Sequence, residues 1–286
     1  MRPCRFFVVI CISVILLSFS CNLDSLATHS QRVTGILGAL DEEVEILEEQ
    51  LENKNEKEIE GIRFIKGKLK GRSVVIARTG IGKVNAAMTT TLLLEHFKPK
   101  QVIFSGIAGG LNPELFPGDI VIAEKTAQHD LGILRASGLE NEGVINPFTG
   151  EQNPVFFPAD KKLLELAEQA ARSLELKSIK PGNEERAVKV ITGVIVTGDV
   201  FAASSAKCIE LREKFGADAV EMEGAAVAQI CYQRGIPHLV VRCISDKADE
   251  KAVEDVRKFL KVAARNSARL TTKIIELLSS EVYVEK

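Results

Sequence analysis

The chain has 286 residues, with 37 Lys and Arg against 39 Asp and Glu, which gives a formal net charge of −2 at pH 7. This balance argues against a nucleic-acid-binding protein, which would carry a basic surface. Four His and six Cys form no cluster with metal-ligand spacing, so we expect no structural metal.

The N-terminal residues 1–21 read as a targeting segment. Arg2 and Arg5 precede an uncharged apolar run, Phe6 to Phe19, which is too short for a membrane span and has the length of a signal-peptide core. The end of this run resembles a bacterial lipobox with Cys21 as the lipidated residue, and cleavage after Ala27 is the alternative. Either route predicts export to the periplasm or cell envelope, with membrane contact only through the signal or a lipid anchor.

The rest of the chain is long enough for one α/β domain over 33–280, followed by a tail at 281–286. We expect a single three-layer domain with a central mixed, mostly parallel twisted sheet flanked by helices. Three cysteines remain after the targeting segment, Cys208, Cys231 and Cys243, and each lies in or beside an apolar stretch. An odd number in such settings predicts buried thiols and not a disulfide framework.

The first predicted strand begins at Val33 and runs directly into the acids Asp41, Glu42 and Glu43 of a helix that ends near Asn53. Acids are common in a first helical turn because of the helix dipole, but these lie at the carboxyl end of a strand. After a hairpin or short strands over 54–73, the strand 74–77 enters the glycine-rich turn 79–85. This turn lacks a dinucleotide fingerprint, and a purely conformational role for its glycines stays open.

The next predicted strand ends in glycines at 105–110, which would let a ligand approach the backbone closely. A strand at 119–123 precedes a long polar loop, 131–158, which we expect to act as a lid or a subunit contact. A helix over 159–174 follows, and then the strand 188–197, which ends in Gly-Asp-Val-Phe at 198–201.

The segment from Asp218 to Asp246 reads as strand, helix, strand, which favours a parallel pair. Its strands end in Glu221, Glu223 and Asp246, at the sheet edge where α/β folds bind ligands. Glu223 could instead complement the dipole of the following helix, and Asp246 could cap a helix at 247–261. The last amphipathic helix is predicted from about Glu250 to Ser279.

In their order and spacing, these motifs resemble the nucleoside phosphorylase/nucleosidase superfamily, and more closely the bacterial 5′-methylthioadenosine/S-adenosylhomocysteine nucleosidases. The resemblance covers about Gly35 to Leu278. It is carried by six stretches: 38–44, 80–84, 105–110, 197–201, 220–226 and 242–246. It implies a nucleoside phosphorylase-like fold, a small-molecule nucleoside substrate, no cofactor and a homodimer.

The resemblance also implies roles for nine residues. Glu43 falls where the family keeps the base that activates water, and Asp246 where it keeps the acid that protonates N7 of adenine. The implied substrate-binding residues are Phe201, which stacks on adenine; Ala202, whose backbone reads the adenine edge; Glu223, which holds the ribose hydroxyls; Met222, beside the sugar; Ser245, which orients Asp246; and Glu221 and Ile107.

Those residue types suit N-glycosidic hydrolysis, because one carboxylate can deprotonate water while a protonated carboxyl assists the leaving purine. The turn at 80–84 offers Lys83 but no arginine cluster for a phosphate, which favours water as the nucleophile. Two alternatives stay open. One is another purine nucleosidase or phosphorylase, and the other is an exported nucleoside-binding, adhesion or storage protein of this fold without turnover.

Overall fold

The computed structural model describes residues 33–176 and 186–284. The predicted targeting segment 1–21, with Cys21, lies outside the described residues, as does the end of the predicted tail at 285–286. Residues 33–284 belong to one compact unit.

Strands and helices alternate from residue 156 to residue 284, whereas residues 52–78 and 101–158 form consecutive strands. The strands are β1 (Thr34–Gly38), β2 (Glu52–Ile59), β3 (Ile62–Leu69), β4 (Arg72–Arg78), β5 (Gln101–Gly110), β6 (Ile120–Gln128), β7 (Gly132–Arg135), β8 (Gly138–Asn141), β9 (Phe156–Pro158), β10 (Val190–Thr197), β11 (Ala219–Glu221) and β12 (His238–Asp246). The helices are α1 (Asp41–Glu49), α2 (Lys83–Phe97), α3 (Lys161–Arg172), α4 (Ser205–Phe215), α5 (Gly224–Gln233) and α6 (Ala252–Val284).

The large sheet is mixed, with the strand order β11-β10-β6-β12-β5-β1-β4-β3-β2, and β9 is added beside β6. Parallel pairs join β4, β1, β5 and β12, and a second parallel set joins β6, β10 and β11. The sets meet where β6 runs antiparallel to β12. The last two residues of β5, Gly109 and Gly110, pair with β11, which closes β5, β12, β6, β10 and β11 into a ring.

Alternate residues of the central strands face opposite helical layers, as the period of a strand requires. Ile36 packs with Leu47 of α1, Leu166 of α3 and Ile274 of α6. Its neighbour Leu37 belongs to the core on the other face, whose helical members come from α2 and α5. The predicted three-layer α/β domain with a mixed central sheet is therefore confirmed.

Two predictions about local structure were wrong. The strands β11 and β12 do not pair with each other, because β10 and β6 separate them on one side and β5 on the other. The range 131–158 is not a continuous loop, since it contains the β7–β8 hairpin, a bridge between Ile145 and Gln152, and β9. The hairpin is largely solvent-exposed on both faces, so its sequence lacks the apolar alternation that signals a strand.

Helix α6 begins at Ala252, so Asp246 lies well before its first turn and does not cap it. The helix continues to Val284, into the range predicted as a tail. Cys208, Cys231 and Cys243 are free and buried, as the sequence predicted. Among the described residues no helix combines the length and apolar character needed to cross a membrane.

Candidate active site

A cavity of about 180 Å³ opens at the carboxyl ends of β1, β5, β11 and β12 and beside the segment that follows β10. It brings together all nine residues that the sequence assigned to a site: Glu43, Ile107, Phe201, Ala202, Glu221, Met222, Glu223, Ser245 and Asp246. Most of them lie at or just after the carboxyl end of a strand, which is why they could be predicted from the positions of the strands in the sequence.

Glu43 is the only member of the acidic triplet Asp41, Glu42 and Glu43 that lines the cavity. It is the third residue of α1, and its Oε2 accepts from the backbone N–H groups of Ala39 (2.6 Å) and Leu40 (3.0 Å), as in a capping box. Its Oε1 accepts from the N–H of Ile107 (2.9 Å). Burial raises the pKa of Glu43, against the lowering influence of Arg242 and of these three N–H groups.

Glu221 lines the cavity, but its carboxylate is engaged by protein donors. It accepts from the Thr197 hydroxyl, from the backbone N–H groups of Glu223 and Gly224 at the start of α5, and from Arg242. This residue, and not Glu223, therefore complements the N-terminus of α5.

Glu223 turns its carboxylate across the cavity towards α2, where Oε1 accepts from the N–H of Gly82 (2.8 Å). Gly82 has φ of +96°, a backbone conformation that favours glycine, so the sequence's glycine-rich turn is needed to aim this N–H. Burial and the nearby Glu221 carboxylate raise the pKa of Glu223 to about 8, with Arg242 opposing the change.

Arg242 is a site residue that the sequence analysis missed. It is 1% exposed, lies 3.7 Å from Glu223 through Nη2, and its guanidinium is 4.0 Å from the centre of the Phe104 ring. A Cβ on Gly106 would come within 2.4 Å of Arg242 Nη1 and 2.6 Å of Glu43 Oε1. A glycine is required there because the two side chains border the same small space.

Asp246 accepts two hydrogen bonds at the end of β12. Its Oδ2 accepts from the Ser245 hydroxyl (2.8 Å), and its Oδ1 accepts from the N–H of Ala248 (2.7 Å). Ala248 adopts φ of +51°, which turns that N–H back towards the carboxylate. Burial raises the pKa of Asp246 to about 6, although both hydrogen bonds favour the ionised form.

The segment after β10 places Phe201 and Ala202 on the cavity wall, together with Val200. Phe201 is 50% exposed, so part of its ring is available for contact with a flat ligand. Val256, from the second turn of α6, also lines the cavity and was not anticipated. An apolar residue inside a long amphipathic helix carries no local mark that separates a cavity wall from a core position.

The cavity wall is acidic. Among the described residues that line it are four carboxylates, Glu43, Glu221, Glu223 and Asp246, and no Lys, Arg or His. Lys83, which the sequence offered as a cation for this site, instead directs its amine to Asp130. No group of three or more His, Cys, Asp or Glu in the described ranges is arranged to hold a metal ion.

Comparison with known proteins places these features in a family. Residues 33–276 match the model of the Phosphorylase superfamily. A 5′-methylthioadenosine/S-adenosylhomocysteine nucleosidase from Psychromonas ingrahamii is 41% identical over 86% of this chain and 99% of its own length. The corresponding protein of Geobacillus kaustophilus is 39% identical over 87% of this chain and 98% of its own length.

A solved structure agrees with this result. The nucleosidase of Neisseria meningitidis, crystallised with methylthio-immucillin-A, superposes with a TM-score of 0.74 at 37% identity, over 86% of this chain and 100% of that one. The chain therefore belongs to the phosphorylase superfamily and, within it, to the family of 5′-methylthioadenosine/S-adenosylhomocysteine nucleosidases.

Proposed function

We propose that the protein hydrolyses the N-glycosidic bond of 5′-methylthioadenosine and S-adenosylhomocysteine, releasing adenine and the 5-thio-substituted ribose. One observation carries the proposal: Glu43 and Asp246 are buried in one cavity, and burial raises the pKa of both. A carboxylate with a raised pKa is a better base, and a carboxyl group with a raised pKa keeps its proton closer to neutral pH.

In this mechanism the bond between C1′ and N9 breaks while Asp246 gives its proton to N7 of the purine. The sugar becomes cationic at C1′, and the carboxylates of the wall stabilise that charge. Water adds its oxygen to C1′ and gives one proton to Glu43, so the products are neutral adenine and a sugar with a free anomeric hydroxyl. Return of the proton from Glu43 to Asp246 through solvent restores the enzyme.

The contacts of the other residues support a separate role for each of them. Glu43 Oε1 and Arg242 Nη1 border the small space kept open by Gly106, where a water could donate to the first and accept from the second. Glu223 is suited to hold the ribose hydroxyls, with Met222 beside the sugar. The exposed part of the Phe201 ring is suited to stack on adenine, with the backbone of Ala202 at the adenine edge. We assign Glu221 to holding Arg242.

The acidic wall favours water over phosphate as the nucleophile. A phosphate dianion in the cavity would face four acidic side chains and no lining cation among the described residues. Arg242 cannot supply the missing charge on its own, because it is already paired with Glu221. This contrast separates the hydrolase from a phosphorylase of the same fold.

The experiment is an assay of adenine release from 5′-methylthioadenosine, S-adenosylhomocysteine and adenosine, each with and without phosphate. We expect phosphate-independent release from the two thio compounds, a free reducing sugar, and loss of nearly all activity in Glu43→Gln. Sugar 1-phosphate that scales with added phosphate would overturn hydrolysis. Tight binding of the nucleoside without turnover would instead favour the non-catalytic alternative.

We also propose a homodimer. The N-terminal part of α2 and the segment before it expose Ile81, Val84 and Met88, and the 143–150 segment exposes Ile145 and Phe148. Val84 and Met88 are spaced to share one face of α2, and a contiguous exposed apolar patch typically marks an interface whose burial contributes ~25 cal/mol per Å². Ile81 also lines the cavity, so this surface adjoins the site.

Sedimentation of the domain at micromolar concentration tests the dimer. Val84→Glu should dissociate it, whereas Ile209→Glu, at an exposed apolar position on α4, should not. A monomer with full activity in the wild type would refute the proposal.

We further propose export, on the evidence of the N-terminal sequence. Labelling with palmitate should mark the protein, and Cys21→Ala should remove the label. A soluble, unlabelled protein that begins near Thr28 would support ordinary signal cleavage, and an intact N-terminus in the cytoplasm would refute export.

A further inference from the structure

Two consecutive backbone N–H groups at the start of α2 bind acidic side chains from two segments that contribute to the cavity wall. The N–H of Gly82 donates to Glu223 Oε1 (2.8 Å), and the N–H of Lys83 donates to Asp199 Oδ1 (2.7 Å). Glu223 is the proposed ribose carboxylate, and Asp199 lies two residues before Phe201, the proposed adenine-stacking ring. The turn before α2 therefore links the two ends of the substrate site.

The side chains of Lys83, Asp130 and Asp199 reinforce the connection between α2 and the segment after β10. We call these three residues the clamp. Lys83 Nζ donates to Asp130 Oδ1 (2.6 Å), and the N–H of Asp199 donates to Asp130 Oδ2 (2.9 Å). With the bond from the N–H of Lys83 to Asp199, these contacts form a closed circuit. It joins the start of α2, the end of β6 and the segment after β10.

The clamp is stronger than an ordinary surface ion pair. Each of its three hydrogen bonds ends on a carboxylate oxygen, and charged acceptors strengthen such bonds. The side chains of Lys83 and Asp130 are 16% and 29% exposed, which limits screening by solvent. Burial alone would raise the pKa of Asp130, but its bonds to Lys83 and to the N–H of Asp199 hold that pKa below its ordinary value.

The segment 199–202 follows a tightly packed glycine, and at its end Ala202 packs against a core cluster. The ring of His129 packs against Gly198, where a Cβ would lie 2.2 Å from Nε2. Beyond Gly198, residues 199–201 are exposed. Further along the chain, the N–H of Ser204 donates to the Ala248 carbonyl (2.8 Å). Between these anchors, the clamp fixes the position of the segment at Asp199.

We propose that Lys83 and Asp130 are positioning residues that hold the adenine-stacking segment, residues 199–202, at a fixed distance from Glu223. Neither residue lines the cavity, so both act through Asp199 on Phe201. Loss of the clamp therefore weakens binding of the purine while leaving the acid–base groups Glu43 and Asp246 in place. This inference rests on the proposed function for the identity of the purine.

The test compares Lys83→Met and Asp130→Asn with the wild type. We expect each to raise the KM for 5′-methylthioadenosine and the inhibition constant for adenine by about fivefold, which is the scale of one partly exposed charge-assisted bond. kcat and the inhibition constant for 5-methylthioribose should change less than twofold. Lys83 and Asp130 belong to the same set of hydrogen bonds, so breaking it at both residues should have no further effect. The KM and the adenine inhibition constant of the double variant should therefore be no higher than those of either single variant.

Two further variants separate positioning from general stability. Lys83→Arg keeps a cation and should restore most of the adenine affinity. Lys273→Met removes a comparable ion pair with Glu276 on α6, away from the cavity, and should leave KM unchanged. Amide hydrogen exchange at residues 199–202 should be faster in Lys83→Met and unchanged in Lys273→Met.

Equal weakening of adenine and 5-methylthioribose binding would overturn the inference, as would multiplicative effects in the double variant. Failure of the proposed function is distinguishable, because adenine affinity can be measured by calorimetry without turnover. A wild type that binds adenine but releases none would refute the reaction and still report on the clamp. A wild type that fails to bind adenine would refute both.

Discussion

Arg242 gives two of its three guanidinium nitrogens to a single oxygen of Glu221. Nε (3.2 Å) and Nη2 both donate to Glu221 Oε2, and Nη1 has no hydrogen-bond partner among the described residues. Glu221 thus fixes the plane of the guanidinium, and the free nitrogen is left beside Gly106 and Glu43. One ion pair therefore orients a cation toward the proposed position of the water.

The first prediction is that Arg242→Met lowers the free energy of unfolding by about 3 kcal/mol, because it leaves buried carboxylates without their cation. Urea denaturation at pH 7 measures this loss. Arg63→Met is the matched control, since its partners Glu48 and Glu56 pair with it at the surface, and it should cost less than about 1 kcal/mol. Equal losses in the two variants would contradict the prediction.

The second prediction concerns the general acid. Asp246→Asn should lower kcat by a factor of about 10² to 10⁴, because the amide cannot give a proton to N7. The melting temperature should stay at or above that of the wild type, since the substitution removes a buried titratable group. Asp249→Asn changes an acid three residues away that does not line the cavity, and it should keep normal turnover. Normal turnover in Asp246→Asn would remove this residue from the mechanism.

The third prediction is a pH effect with a definite sign. The pKa of Asp246 is raised to about 6, so kcat/KM should fall as the pH rises through that value and the free enzyme loses the acid's proton. The hydroxyl of Ser245 favours the ionised carboxylate, so Ser245→Ala should raise this pKa and move the alkaline limb to higher pH. A shift to lower pH would show that the limb belongs to another group.

The fourth prediction links the site to stability. The pKa of Glu223 in the fold, about 8, lies above its ordinary value of 4.5. The stabilisation that accompanies its protonated form is therefore complete below about pH 4.5 and is lost as the pH rises through about 8. Glu223→Gln stays neutral, so its melting temperature relative to the wild type should increase from pH 5 to pH 9. Glu213→Gln, at an exposed position on α4, should show no such trend.

Most of the candidate site could be predicted because its residues follow strand ends. Glu43, Glu221 and Asp246 come directly after or at the end of apolar runs, and the carboxyl ends of strands converge wherever a sheet forms. Arg242 could not be found in this way. It lies inside β12 between apolar residues, and its role depends on Glu221 from another strand that reaches it only in the fold.

The sheet's connectivity was the harder part. The strand β11 has only three residues, and its partners are β10 and the end of β5. The contact with β5 is made by Gly109 and Gly110, and nothing in the sequence shows which strand these glycines pair with. The order of the segments in the sequence therefore suggested that β11 pairs with β12. In the structure β11 instead pairs with β10 and β5, which closes the ring.

The ring of β5, β12, β6, β10 and β11 has a consequence for how the protein folds. Its closing contact joins Gly109 and Gly110 to Ala219 and Val220, segments that are far apart along the chain, and such contacts form slowly because a long loop must be ordered first. Glu221 directly follows that contact. During refolding, catalytic activity should therefore recover later than secondary structure. Fragments that end before β11 should never become catalytically active.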